Sequence, residues 1–246
     1  MNNPITNLII HSTVQGNYLS TSRFDMHFFH NYGIDKILSV IYNTALEYFP
    51  CITGFKLSKE CNSMKIIGIS GSPRKGNTEW MINKLLEVAE QNGAEVEVLL
   101  LRKMDVQMCR GCLACEEGGR QRKGICRIKD DMNTVYPKLL AADAIVLATP
   151  GYFEMLSGLL KNFLDRTVAI WPRLEGKKIA GLAVAEEGTG QAIQNFKTYA
   201  SLCKMQWVGS VTVLAKTPNE VARNKTIEQR LKRLAQKLVP NDDSGN

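Results

Sequence analysis

From Met64 onward, short apolar runs alternate with amphipathic stretches in a regular order. Lys65–Ser70 (KIIGIS), Glu95–Leu101 (EVEVLLL), Asp143–Thr149 (DAIVLAT), Lys178–Ala185 (KIAGLAVA) and Gln206–Leu214 each read as a strand. They are short and mostly apolar, as buried parallel strands are. Between them the pattern takes a helical period. Thr78 to Gln91 puts Ile82, Leu85, Leu86 and Ala89 on one face, and Asn92-Gly93 ends the run. Further helices are predicted from a cap at Asp130 or Asp131 to Ala141, from Gly158 to Ile170, and from Gln191 to Leu202. The last spans about Asn219 to Leu238, with Ile227, Leu231, Leu234 and Leu238 apolar and Pro240 as a stop.

Five strand–helix units in sequence imply a parallel sheet covered on both faces. The predicted class is therefore α/β: a flavodoxin-like, doubly wound, five-stranded parallel sheet of order 2-1-3-4-5 with helices on both faces. Ligands in such folds bind beyond the carboxyl ends of the strands. The loops after Ser70, Leu101, Thr149 and Ala185 are thus expected to share one site.

Residues 1–63 have a different character. They hold all three histidines (His11, His27, His30) and nine of the fifteen Phe and Tyr residues, and their charges cancel. One helix-like stretch, IDKILSVIYNTALEYF, places Ile37, Val40, Ile41, Ala45 and Tyr48 roughly on one face. The segment is read either as an extension that docks on the body or a second subunit, or as upstream sequence with Met64 the true start. Lys59-Glu60 can be encoded as AAG GAG, a ribosome-binding sequence suitably placed before Met64. The body, 64–246, then holds no histidine, which excludes His-based triads and His metal sites there.

The loop after the first strand, GSPRKGNT, joins a strand to a helix. Its small residues let backbone N–H groups turn inward, and Ser70, Ser72, Asn77, Thr78 and Arg74 add donors and a charge. With the positive end of the helix dipole they form a phosphate cradle. The spacing G-x4-G-N-T is one residue short of a Walker A loop, and Asn77 stands where that loop has lysine, which argues against a nucleotide hydrolase. There is no G-x-G-x-x-G after this strand, which disfavours a classical dinucleotide domain. The plain alternative is a polar turn.

KIIGISGSPRKGNT, followed by TPGYFEMLSGLLKNFLDR, resembles the NAD(P)H-dependent FMN reductase and iron–sulfur flavoprotein family over most of 64–215. The resemblance implies that Ser70, Ser72, Arg74, Asn77 and Thr78 bind the FMN phosphate. It also implies that Pro150, Gly151, Tyr152, Phe153 and Glu154 lie along the isoalloxazine ring, and that Glu186, Glu187 and Gly188 close its other side. Tyr152 and Phe153 then meet the ring or shape its pocket; the alternative for both is core packing. Lys161, Asp165 and Arg166 are read as surface or subunit-interface residues. The flavin carries the redox step at N5, so no catalytic acid or base is required of the protein. NADH or NADPH is the expected donor, and a small-molecule acceptor or a ferredoxin-type carrier the expected recipient. A homodimer or homotetramer is implied by the resemblance alone.

Cysteines crowd the segment after the second strand, CRGCLACEEGGRQRKGIC. Cys109, Cys112, Cys115 and Cys126 fall on the ligand rim. Thiolates at this spacing can wrap a cubane, with a fourth ligand from further on. The family's iron–sulfur members carry C-x2-C-x2-C and a fourth cysteine shortly after, so the resemblance implies a 4Fe–4S cluster. The spacer here, EEGGRQRKGI, is longer than in that pattern. A zinc site and reduced or redox-active thiols are the alternatives.

The chain has 246 residues, 44% of them hydrophobic, and a net charge of +7. No apolar run is long enough to span a membrane, and the first twenty residues lack a basic, cleavable leader pattern. The expected setting is cytoplasmic and reducing, with neither membrane nor nucleic acid as partner. The basic residues suit phosphorylated cofactors or acidic carriers. The sequence thus reads as an FMN-dependent oxidoreductase with an iron–sulfur cluster. A cluster-free NAD(P)H:flavin or quinone reductase and a flavodoxin-like electron carrier are the alternatives. A metal-stabilised nucleic-acid-binding module is favoured by the charge alone.

Overall fold

The computed structural model describes residues 63–239 apart from 117–123 and 125, together with the backbone of two two-residue strands near the N-terminus. The chain divides into two compact units, residues 1–61 and 62–246. In the first, Thr13–Val14 pairs antiparallel with Asn17–Tyr18. The helix expected between Ile34 and Phe49 lies outside the described residues.

The second unit is built on a five-stranded parallel sheet. Its elements in chain order are β1 (Lys65–Ser70), α1 (Asn77–Gln91), β2 (Glu95–Leu100), α2 (Met132–Ala141), β3 (Ala144–Pro150) and α3 (Gly158–Arg166), followed by β4 (Lys178–Ala185), α4 (Gly190–Leu202), β5 (Gln206–Leu214) and α5 (Lys225–Leu238). The strand order is β2-β1-β3-β4-β5, the expected 2-1-3-4-5 of a flavodoxin-like fold, with every neighbouring pair parallel. Central strands are buried on both faces, which explains why they read as continuous apolar runs.

Two apolar layers flank the sheet. Ile82, Leu85 and Leu86 of α1 pack with Leu231, Leu234 and Leu238 of α5 against one face. On the other, Val135 and Leu139 of α2, Leu160 and Phe163 of α3 and Phe196 of α4 pack against Ile67, Ile69 and Leu147. Gly68 shows how closely α1 approaches: a Cβ there would lie 2.6 Å from Leu86 Cδ1. Two helices end differently from expectation. α3 stops at Arg166 and tightens into a 3-10 turn over Thr167–Ala169. α5 begins only at Lys225, where the Asn224 side chain accepts from the Thr226 and Ile227 amides. The chain runs β1 to β2 on one side and returns to β3 on the other, so the switch point lies between β1 and β3, where the loops diverge to make a crevice.

Candidate functional site: a phosphate cradle at the switch point

The loop after β1 lies at that crevice. Ser70 and Thr78 are buried, as is Ser72, whose Oγ donates to the Arg74 carbonyl at 2.7 Å and so folds the turn on itself. Helix α1 begins after Gly76, which has no side chain to cap it. The leading N–H groups of the helix are therefore left without a side-chain acceptor, in the arrangement that favours a phosphate. Ser70 Oγ is buried with no hydrogen-bond partner, on the strand face that α1 covers. The uncapped helix start fits an anionic group held by this loop, whereas Ser70, expected to share in it, is buried under α1 and does not line the cleft.

A cleft of about 180 Å³ opens here. Ser72, Arg74, Asn77 and Thr78 line one side, Pro150, Gly151 and Tyr152 the next, and Glu186 the far rim. Arg74 and Lys216 supply positive charge. The cleft is smaller than a pocket that buries a whole cofactor, roughly 300–1,000 Å³, so it suits the phosphate end of FMN. Asn77 is placed as expected, but its carboxamide is already engaged. Nδ2 donates to the Thr217 carbonyl at 2.8 Å, and Oδ1 accepts from the Val221 amide at 3.3 Å. What Asn77 can offer a phosphate is its backbone.

The segment after β3 forms a tight hairpin. Tyr152 and Met155 exchange backbone bonds, and Phe153 and Glu154 both take positive φ, 51° and 60°. Non-glycine residues there carry strain that the surroundings must hold. Core packing is not the fate of the two aromatics: Tyr152 is 44% exposed and Phe153 96%. The loop after β4 closes on this hairpin. A Cβ on Gly188 would sit 2.5 Å from a Glu154 carboxylate oxygen, so a larger residue there would displace the Glu154 side chain. Glu186 and Glu187 are exposed, and Glu186 lies 4.0 Å from Lys216 Nζ. Tyr152 also borders a second, apolar groove of about 1,050 Å³ between α3 and α4, which Phe153, Met155, Trp171 and Leu202 help to line and which reaches Glu116 of the cysteine segment.

The cysteines divide into two pairs. Cys109 and Cys112 are exposed, whereas Cys115 and Cys126 are half-buried against the α2–α3 side of the core. Burial pushes the Cys115 thiol up, and Cys126, Glu116 and Cys109 raise it further. The donor set has the chemistry of a thiolate site. Yet among the described residues no three His, Cys, Asp or Glu side chains converge to hold a metal ion.

Sequence reasoning missed three contributors. Lys216 and Thr217 enter the cleft from the loop after β5, the one strand end left out although the carboxyl-end rule covers it. Ser157 caps α3 by accepting from the Leu160 amide and ties that helix to the phosphate loop. Arg166 is a correction. Read as a surface or subunit-interface residue, its side chain is 1% exposed within the chain itself and pairs with Asp130, whose side chain is fully buried. Lys161 and Asp165 are exposed and pair with each other one turn apart. Burial alone would raise the Asp130 carboxyl, but Arg166 and the Gln107 and Met132 amides overcome it and hold it below its usual range.

Comparison with known proteins identifies the family. The profile of the NADPH-dependent FMN reductase family matches residues 64–220. An iron–sulfur flavoprotein of Methanosarcina thermophila is 37% identical over 153 residues, 59% of this chain and 78% of that protein. An iron–sulfur flavoprotein of Archaeoglobus fulgidus is 39% identical over 104 residues, 42% of this chain and about half, 49%, of that protein's length. Among solved structures, RosB with a bound 8-demethyl-8-formylriboflavin-5'-phosphate intermediate superposes with a TM-score of 0.59, covering 72% of this chain and 78% of that one, at 15% identity. That last likeness is one of fold. By the family match over residues 64–220 and the 37% identity to the Methanosarcina thermophila protein, the chain belongs to the NADPH-dependent FMN reductase / iron–sulfur flavoprotein family.

Proposed function

We propose that the protein is an FMN-dependent oxidoreductase that takes electrons from NADPH or NADH and passes them to a carrier or a small-molecule acceptor. The observation that carries this reading is the cleft at the β1–β3 switch point, where an uncapped helix start and two cationic side chains stand beside exposed Tyr152. Bound FMN would supply hydride acceptance and release at N5. The chain's own contribution is to hold and orient it. The first turn of α1, Ser72, Arg74 and Thr78 would grip the phosphate, and the 152–155 hairpin would support the ring. Glu186, Glu187 and Gly188 would border the opposite edge. The flavin would carry the redox step, so no general base is asked of the chain.

The cysteine segment stands on the same rim, and Glu116 and Tyr152 border one groove. On that placement, and on the iron–sulfur flavoproteins among its relatives, Cys109, Cys112, Cys115 and Cys126 would ligate a 4Fe–4S cluster. A cluster-free NAD(P)H:flavin or quinone reductase is the second reading, favoured by the lack of convergence among the described thiols. The apolar groove, with Phe153 at its edge, suits a second copy of the chain in a homodimer or homotetramer.

Anaerobic purification with an absorption spectrum and iron and sulfide analysis tests both readings. Flavin with near-stoichiometric iron and sulfide supports the first. Flavin without iron supports the second. A protein that takes up no flavin excludes both.

A further inference from the structure

The four cysteines lie in a loop with a closed neck. At its entrance the Asp105 amide donates to Asp131 Oδ2 at 2.8 Å, and the Gln107 amide to Asp130 Oδ2 at 2.9 Å. Arg166, at the end of α3, sits across this neck. Its Nη1 donates to the Gln107 carbonyl at 2.7 Å and to Asp130 Oδ2 at 2.5 Å, and its Nη2 to Asp130 Oδ1 at 3.0 Å. One guanidinium thus binds the strand of chain that enters the loop and the strand that leaves it. A planar fork suits that bridging geometry, which an ammonium would not match. Asn162, one turn earlier, holds the entering strand again by donating to the Val106 carbonyl at 2.6 Å. Tyr136, against which Cys126 lies, donates to the Arg166 carbonyl at 3.0 Å.

Helix α3 therefore has a role at each end. Its N-cap, Ser157, binds the phosphate loop, and its last turn binds the neck of the cysteine loop. We propose that Arg166, paired with Asp130, is a positioning residue that fixes the base of the cysteine loop against α3 and so holds Cys115 and Cys126 in their half-buried places, without itself contributing to flavin binding. A buried ion pair is weak support for stability but a known means of fixing one arrangement over others. Here the arrangement fixed is the one that sets two of four thiols inward against the α2–α3 face of the sheet.

The test compares the full-length protein, as purified and kept under reductant without oxygen, with two variants. One is Arg166→Lys. The other is the double variant Arg166→Met with Asp130→Leu, which replaces the pair by apolar groups and leaves no charge buried alone. Each is pulsed with iodoacetamide and its cysteines are mapped by mass spectrometry, with buried Cys203 as the internal reference. The expected result is alkylation of Cys126 and Cys115 accelerated about tenfold or more in the double variant, at an intermediate rate in Arg166→Lys, with Cys203 unchanged and FMN content kept, as local opening requires. Unchanged rates at Cys126 in folded variants would overturn the proposal. So would Cys203 rising in step with Cys126 in both, which marks general loosening. The thiol readout needs no iron, so a protein without a cluster would sink the cluster reading and leave this one standing.

Discussion

Ser157 Oγ donates to the Gly71 carbonyl at 2.6 Å and accepts from the Leu160 amide at 3.2 Å. One hydroxyl thus caps α3 and locks the phosphate loop to it. The Ser157 amide is held in turn by Thr149 Oγ1 at 3.0 Å, so the ends of β1 and β3 are coupled across the switch point. Removing the hydroxyl in Ser157→Ala is expected to cost about 1–2 kcal/mol of stability, the loss of a cap and a buried bond together. Denaturant unfolding measures that loss. Titration of the apo-protein should show FMN affinity falling about fivefold, or roughly 1 kcal/mol, as the loop loosens.

Gly71 is fixed by the same contact. A Cβ there would lie 2.5 Å from Leu160 Cβ and 2.9 Å from Ser157 Oγ. Gly71→Ala must push the loop off α3, at about 1–3 kcal/mol. The expected outcome is a lower unfolding midpoint together with weakened FMN binding. A crystal structure of the variant would show the loop displaced away from Leu160.

The cationic side chains of the cleft should act on the phosphate alone. Arg74→Ala and Lys216→Ala are each expected to weaken FMN binding by about tenfold, within the range of charge-assisted hydrogen bonds. Riboflavin, which lacks the phosphate, should bind both variants as it binds the parent. Fluorescence quenching of the two flavins gives the comparison directly.

Asp130 sets a pH dependence. Its carboxyl is held below the usual range in the folded protein, so the unfolded chain binds its proton first as pH falls. The stability it contributes is fully present above the unfolded value of about 3.9 and is lost as pH drops through the lower folded value. Thermal midpoints measured from neutral pH down to about 3 should fall in that acid window. Asp130→Asn, by leaving the Arg166 guanidinium buried without its counter-charge, should lose about 3–5 kcal/mol at neutral pH and show a flatter acid limb.

Much of this fold was legible because buried parallel strands announce themselves as apolar runs. β5 lies at Gln206–Leu214, as its pattern indicates, and the apolar stripe of α5 is buried at all four positions named from its period. The start of α5 was not legible, since Asn219–Asn224 is polar enough for helix or loop and only the Asn224 cap separates them. In the site, GSPRKGNT marked the cradle because its small residues and donors follow a clean strand. Composition could not tell that the Asn77 carboxamide is spent on the loop after β5, a partner 140 residues away. Arg166 was misread for the same reason. A charged residue at a helix end looks solvated unless its partner is known, and Asp130 lies 36 residues earlier on another element. Tyr152 and Phe153 were ambiguous between core and ligand, and only the hairpin geometry turns both outward.

The central claim is that the β1 loop grips the phosphate of FMN. Calorimetric titration of the apo-protein with FMN and with riboflavin under identical conditions tests it most directly. The account expects FMN to bind at least about 100-fold more tightly than riboflavin, a difference of ~2.8 kcal/mol that Arg74→Ala reduces. Equal affinity for the two flavins, or no binding of FMN, would contradict it.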